Sequence, residues 1–190
     1  MHIASYWFFS LELSWLPNYF AQVRGLSGVT LQIAIMGPWV VTTISQLFFS
    51  GLSDKLFAKT QNVVKSRVFI AGPLVLLAAL FYFLATTAQS NTLMIIFFCF
   101  AISFRSIMMV LGPAIISTMF TREHYGKAQG TFTAIYYLAG IIAPLVTGII
   151  IQNATSLEAG FHQAFYMGAG ILAVTGLIFL AFVRPKTAEQ

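Results

Sequence analysis

Charge is nearly missing from this sequence. Ten Lys and Arg and five Asp and Glu make 15 charged residues among 190, or 8%, where a soluble domain carries about 25%. That scarcity excludes an ordinary water-facing surface, and with it a soluble enzyme or a nucleic-acid-binding domain. A single cysteine, Cys99, excludes an intrachain disulfide. It lies within an apolar run, where a thiol reads as a small buried filler. His124 and His162 have no partner at metal-ligand spacing. No Ser–His–Asp, zinc or phosphate-loop pattern occurs, so no metal or other cofactor is expected and the chain is not read as an enzyme.

What the sequence has in abundance is apolar length. Fifty-eight per cent of it is hydrophobic, and its natural partner is the lipid bilayer. In lipid every backbone amide must be satisfied within the protein, which leaves a helix bundle or a closed barrel. Barrel strands alternate apolar and polar residues, whereas runs such as Ile70–Ala85 are continuously apolar. A spanning helix needs about 20 residues. Six runs meet that length, at approximately 3–21, 29–50, 67–87, 92–120, 127–152 and 161–183. The predicted fold is an all-α, six-transmembrane-helix bundle of one domain, built as two inverted three-helix units, the unit of many secondary carriers.

Orientation follows from the basic residues. Lys55, Lys59, Lys65, Arg67, Arg122, Lys127, Arg184 and Lys186 fall on one side of the predicted bundle, and Arg24 alone on the other. Both termini and the two basic loops are therefore expected in the cytoplasm. The runs are also interrupted. Pro17, Gly37-Pro38, Gly72-Pro73 and Gly112-Pro113 are expected to break the first four helices. Gly140, Pro144 and Gly148 recur every four residues on the fifth and suit close helix packing.

Two charges lie inside the apolar runs, Glu12 and Arg105. A charge at mid-bilayer costs roughly 2.5–3.5 kcal/mol even on the gentlest scale, and such residues face the bundle interior or water. At 1.5 Å per residue, Glu12 lies about 14 Å from the inner edge and Arg105 about 10 Å from it. The two can meet. One reading is an ion pair that locks the bundle. The other is a working pair, in which Arg105 grips a substrate carboxylate with its planar fork and Glu12 is a protonatable partner that couples a proton to the anion. Polar and aromatic stripes accompany them at helical spacing. Ser5, Trp15 and Tyr19 follow the Glu12 face. Gln32, Trp39, Thr43 and Gln46 line the second helix, and Gln129, Thr133, Tyr136 and Tyr137 the fifth. Trp15, Tyr19, Trp39, Thr43, Gln46, Thr133, Tyr136 and Tyr137 join Arg105 as candidate substrate contacts.

Three stretches carry a family resemblance. Leu13-Ser14-Trp15-Leu16-Pro17-Asn18-Tyr19-Phe20 resembles the seventh helix of the anion:cation symporter family of the major facilitator superfamily. Gly51-Leu52-Ser53-Asp54-Lys55-Leu56-Phe57 is similar to the cytoplasmic G-x-x-x-D-R/K signature, although Ser50 stands where the signature has its Gly. Gly126-Lys127-Ala128-Gln129-Gly130, running into Leu138–Gly148, resembles the family's eleventh helix. The resemblance implies the C-terminal half of a twelve-helix carrier in a bacterial-type inner membrane, with the N-terminal six-helix half as missing partner. It implies symport of a small organic anion, such as a sugar acid, with a proton, and gating by Asp54 and Lys55 at a helix end. The residues also leave open a self-assembling six-helix carrier or channel, and a non-transporting membrane scaffold.

Overall fold

A computed structural model describes residues 1–184; Lys186 of the basic tail lies outside the described residues. The described chain is helical, with no strand. α1 (His2–Ser14) and the single turn α2 (Leu16–Asn18) lead into a π-helical turn at Tyr19–Val23. α3 (Gly28–Thr60) and a second π-helical turn, Val64–Val68, precede α4 (Phe69–Thr87). α5 (Asn91–Met119), α6 (Arg122–Asn153) and α7 (Leu157–Phe182) complete the bundle. Five helical stretches are long and apolar enough to cross a membrane: Gly28–Thr60, Val64–Thr87, Asn91–Met119, Arg122–Asn153 and Leu157–Phe182. The first apolar run does not form a sixth uninterrupted helix, because α1 stops after 13 residues.

Pro17 explains that stop. It has no amide hydrogen to give Leu13, so the helix opens just before it, at Trp15 (φ −122°, ψ −26°). The backbone then winds loosely, and Leu26 N–H reaches back to the Phe20 carbonyl at 2.9 Å. The other prolines among the described residues behave differently. α3, α4, α5 and α6 run unbroken through Pro38, Pro73, Pro113 and Pro144, so the breaks expected at the Gly-Pro pairs do not occur. Neighbouring groups can satisfy the carbonyl a proline frees. Pro144 cannot bond Gly140, and the Ser10 hydroxyl donates to that carbonyl instead, at 2.9 Å.

The cross-packing places the site. α4 lies against α5 and α7, α3 against α5, and α1 against α6. α4 and α5 form the centre, where Ala71, Ala78, Ala85, Tyr82, Phe98 and Ala101 are fully buried. α3 and α6 are the outer members and leave apolar ridges uncovered, including Ile33, Met36, Val40 and Leu47 on one and Ile141, Leu145 and Ile149 on the other. At one end Arg24 ties two loops together. Its Nε donates to Asn91 Oδ1 at 3.0 Å, and its Nη2 to the carbonyls of Ala88 and Gln89, each at 3.0 Å. Cys99 is half-buried; its stretch of α5 turns partly outward, so it is not the buried filler expected.

Candidate functional site: a buried ion pair between two cavities

Glu12 on α1 and Arg105 on α5 meet. Arg105 Nε donates to Glu12 Oε1 at 3.1 Å and Nη2 to Oε2 at 2.8 Å. This is the two-pronged geometry that a guanidinium offers a carboxylate. Both side chains are 1% exposed. The third arm, Nη1, donates to the Ser5 carbonyl at 3.0 Å. Arg105 also stands over the Phe9 ring, 5.8 Å from its centre. One partner was not foreseen from the sequence: the Tyr82 hydroxyl of α4 donates to Glu12 Oε1. A tyrosine in an apolar run carries no signal of depth or direction, so only packing reveals it.

The pair divides two cavities. The larger, about 440 Å³, is lined by Arg105 with Tyr6, Phe9, Trp39, Thr43, Gln46, Tyr136 and Tyr137. The smaller, about 130 Å³, is lined by Glu12 with Leu13, Leu16, Pro17, Ile35, Trp39 and Ile102. Trp39 is common to both. The larger cavity joins one cation to several aromatic rings and a few hydroxyl and amide groups, the mixture that small-molecule sites use. The smaller has one carboxylate among apolar walls. Gln46 Nε2 donates to the Ser106 carbonyl at 3.3 Å, and Thr43 Oγ1 to the Trp39 carbonyl at 3.0 Å. These bonds fix both side chains at the rim.

Six of the nine candidate contacts therefore share one cavity with Arg105, counting Arg105 itself: Arg105, Trp39, Thr43, Gln46, Tyr136 and Tyr137. Three do not line it. Trp15 packs on α6, where its Nε1 donates to the Pro144 carbonyl at 3.2 Å and its ring lies against Gly148. Tyr19 is fully buried among Phe20, Phe98, Phe161 and Phe165. The cause is the break at Trp15: beyond it, residues no longer keep the Glu12 register. Thr133 accepts from Gln129 Nε2 at 3.3 Å, one turn from Tyr136 and Tyr137.

The gating candidates also sit otherwise than expected. α3 continues to Thr60, so Asp54 and Lys55 lie within the helix and not at its end. Polar residues past the membrane extend the helix into water without disfavouring it. Asp54 is exposed and stands 4.0 Å from Arg67 Nη2, a guanidinium that is itself 8% exposed. Arg67 lies over the Phe57 ring at 4.8 Å, and its Nε and Nη1 have no partner among the described residues. Lys55 is exposed. Among the described residues, no group of three or more His, Cys, Asp or Glu could hold a metal ion.

The family model of the Major Facilitator Superfamily matches residues 1–190. The chain belongs to this superfamily. It is a membrane protein of a transporter family and not an enzyme. Its relatives include the hexuronate transporter of Bacillus subtilis, 26% identical over 91% of this chain and 40% of that protein. The probable sulfoacetate transporter of Cupriavidus necator is 25% identical over 94% of this chain and 40% of that protein. A multidrug transporter of Bacillus subtilis is 29% identical over 87% of this chain and 28% of that protein. This superfamily member thus spans about 40% of the length of the first relatives it matches.

Proposed function

We propose that the chain is the C-terminal half of a secondary carrier that moves a small organic anion together with a proton. Six crossings follow if the broken helical run His2–Val23 counts as the first and α3 to α7 as the others. The cross-packing supports two inverted three-helix units. The first helix of one unit lies on the second of the other (α1 on α6, α5 on α3), and the third helices lie on each other (α4 on α7). The uncovered ridges of α3 and α6 suit lipid on one side and the missing N-terminal half on the other. In this reading both termini lie in the cytoplasm of a bacterial-type inner membrane, which the one-sided basic residues support for the orientation.

The observation that carries this reading is the ion pair with a separate cavity on each side. An anion arriving in the larger cavity competes for the Arg105 fork. Glu12 then loses its counter-charge in a pocket whose other walls are apolar. An isolated carboxylate there is costly, and taking a proton removes the charge. A hard cation would need several oxygen ligands, and the lining side chains other than Glu12 supply none. This favours a proton as the coupling ion in this reading. Asp54, Lys55 and the nearby Arg67 serve as the inner gate. The exposed carboxylate can leave its long contact with Arg67 when the bundle rocks against its partner. The printed names of two relatives, hexuronate and sulfoacetate transporters, suit an anion held by Arg105.

A second reading has its own support. Each nitrogen of Arg105 and each oxygen of Glu12 has a partner, Tyr82 and the Ser5 carbonyl included, as in a structural lock. Proteoliposomes separate the two. The chain is co-reconstituted with the part of the Bacillus subtilis hexuronate transporter that it does not match as trial partner half, and uptake of labelled D-glucuronate is followed across pH. Uptake is expected only with both halves and to increase as outside pH falls. Glu12→Gln should make it insensitive to pH. A pH response unchanged by Glu12→Gln would leave Glu12 a lock only. Uptake by the chain alone would favour a self-assembled carrier.

A further inference from the structure

Tyr82 is fully buried at the centre of α4, and its hydroxyl donates to the same Glu12 oxygen that Arg105 Nε uses. Its ring is stacked on Phe8 of α1, with centres 3.8 Å apart and planes at 10°. Phe98 of α5 closes its edge at 6.2 Å and 70°. The hydroxyl is thus aimed by packing from two neighbouring helices. Glu12 and Arg105 are the charged groups beside it.

We infer that Tyr82 is the positioning residue that holds Glu12 in place when Arg105 turns to an anion. The inference rests on the proposed exchange of partners. While the pair is closed, Glu12 has three donors, two from Arg105 and one from Tyr82. Once Arg105 leaves, Tyr82 alone remains. Its hydroxyl donates to the carboxylate, or accepts from the protonated acid, because a phenol does both. Without it, the opened state strands a buried carboxyl, and opening becomes harder. Without Tyr82 the closed carboxylate keeps both Arg105 donors, whereas the opened carboxyl is left with no partner, the costlier case, so losing the hydroxyl is expected to weaken anion binding roughly 10- to 100-fold.

The test uses the whole 190-residue chain in lipid nanodiscs and D-glucuronate as probe. Infrared difference spectra read the Glu12 carboxyl bands, identified by their absence in Glu12→Gln. Tyr82→Phe keeps the ring and its stacking and removes only the hydroxyl. It should move the Glu12 carboxylate band and weaken D-glucuronate binding at least tenfold. Phe161→Leu, buried against Tyr19 and away from Tyr82, should lower the melting temperature yet leave that band in place. A Glu12 band in Tyr82→Phe superimposable on that of the unmodified chain would overturn the inference, as would unchanged affinity. Failure of the underlying reading looks different: the band moves in Tyr82→Phe, but D-glucuronate never alters it in the unmodified chain.

Discussion

Arg105→Met is expected to destabilise the folded chain by about 3–5 kcal/mol, because it leaves Glu12 buried and unpaired. Glu12→Gln should cost a comparable amount by stranding the guanidinium. The double variant, Glu12→Gln with Arg105→Met, should recover most of the loss. Two charges taken out of water give back in attraction little more than they lose in hydration, so an uncharged pair of similar size does as well. Unfolding in mixed detergent micelles gives the four stabilities of this cycle. Single losses that simply add in the double variant would mean that the two residues act separately. The same cycle bears on function. If the pair only locked the bundle, the recovered double variant would still bind an anion. In the working reading it folds and binds none.

Tyr19→Ala is expected to cost about 3–5 kcal/mol, the range for emptying a large aromatic site. Tyr19 has no exposed surface, and the rings of Phe161 and Phe165 lie 5.5 and 5.3 Å away. Lipid does not remove this cost, since the lost contacts are those of packed atoms and not of water. Tyr19→Phe keeps the ring. It gives up only a contact of 3.5 Å between the hydroxyl and His162 Nε2, and should leave D-glucuronate affinity unchanged. Equilibrium unfolding and titration of the two variants check both statements. Affinity lost in Tyr19→Phe would return Tyr19 to the cavity wall.

The contrast between these two sites shows what the sequence could disclose. A charge inside an apolar run announces itself, because hydrocarbon tolerates none without a reason. The regular rise of a helix then sets its height, so the meeting of Glu12 and Arg105 was legible. Trp39, Thr43 and Gln46 were legible too, because α3 is continuous and keeps its faces aligned from Gly28 to Thr60. Trp15 and Tyr19 were not. They follow a break whose direction depends on how α2 and its π-helical turn settle against α6 and α7. Tyr82 was hidden for another reason: nothing local separates it from Tyr166, which stands partly exposed beside Phe83. Asp54 was recognisable by its motif, but its neighbour Arg67 comes from the far side of a turn, where contact depends on the fold.

The central claim is that Arg105 exchanges Glu12 for an anion and that Glu12 then takes a proton. Adding D-glucuronate to the folded chain in weakly buffered solution, with a pH indicator present, measures this without any need for transport. Proton uptake from solution should rise in step with the anion bound, and Glu12→Gln should bind the anion with no uptake. Anion bound by the unmodified chain while the pH stays constant would contradict the account.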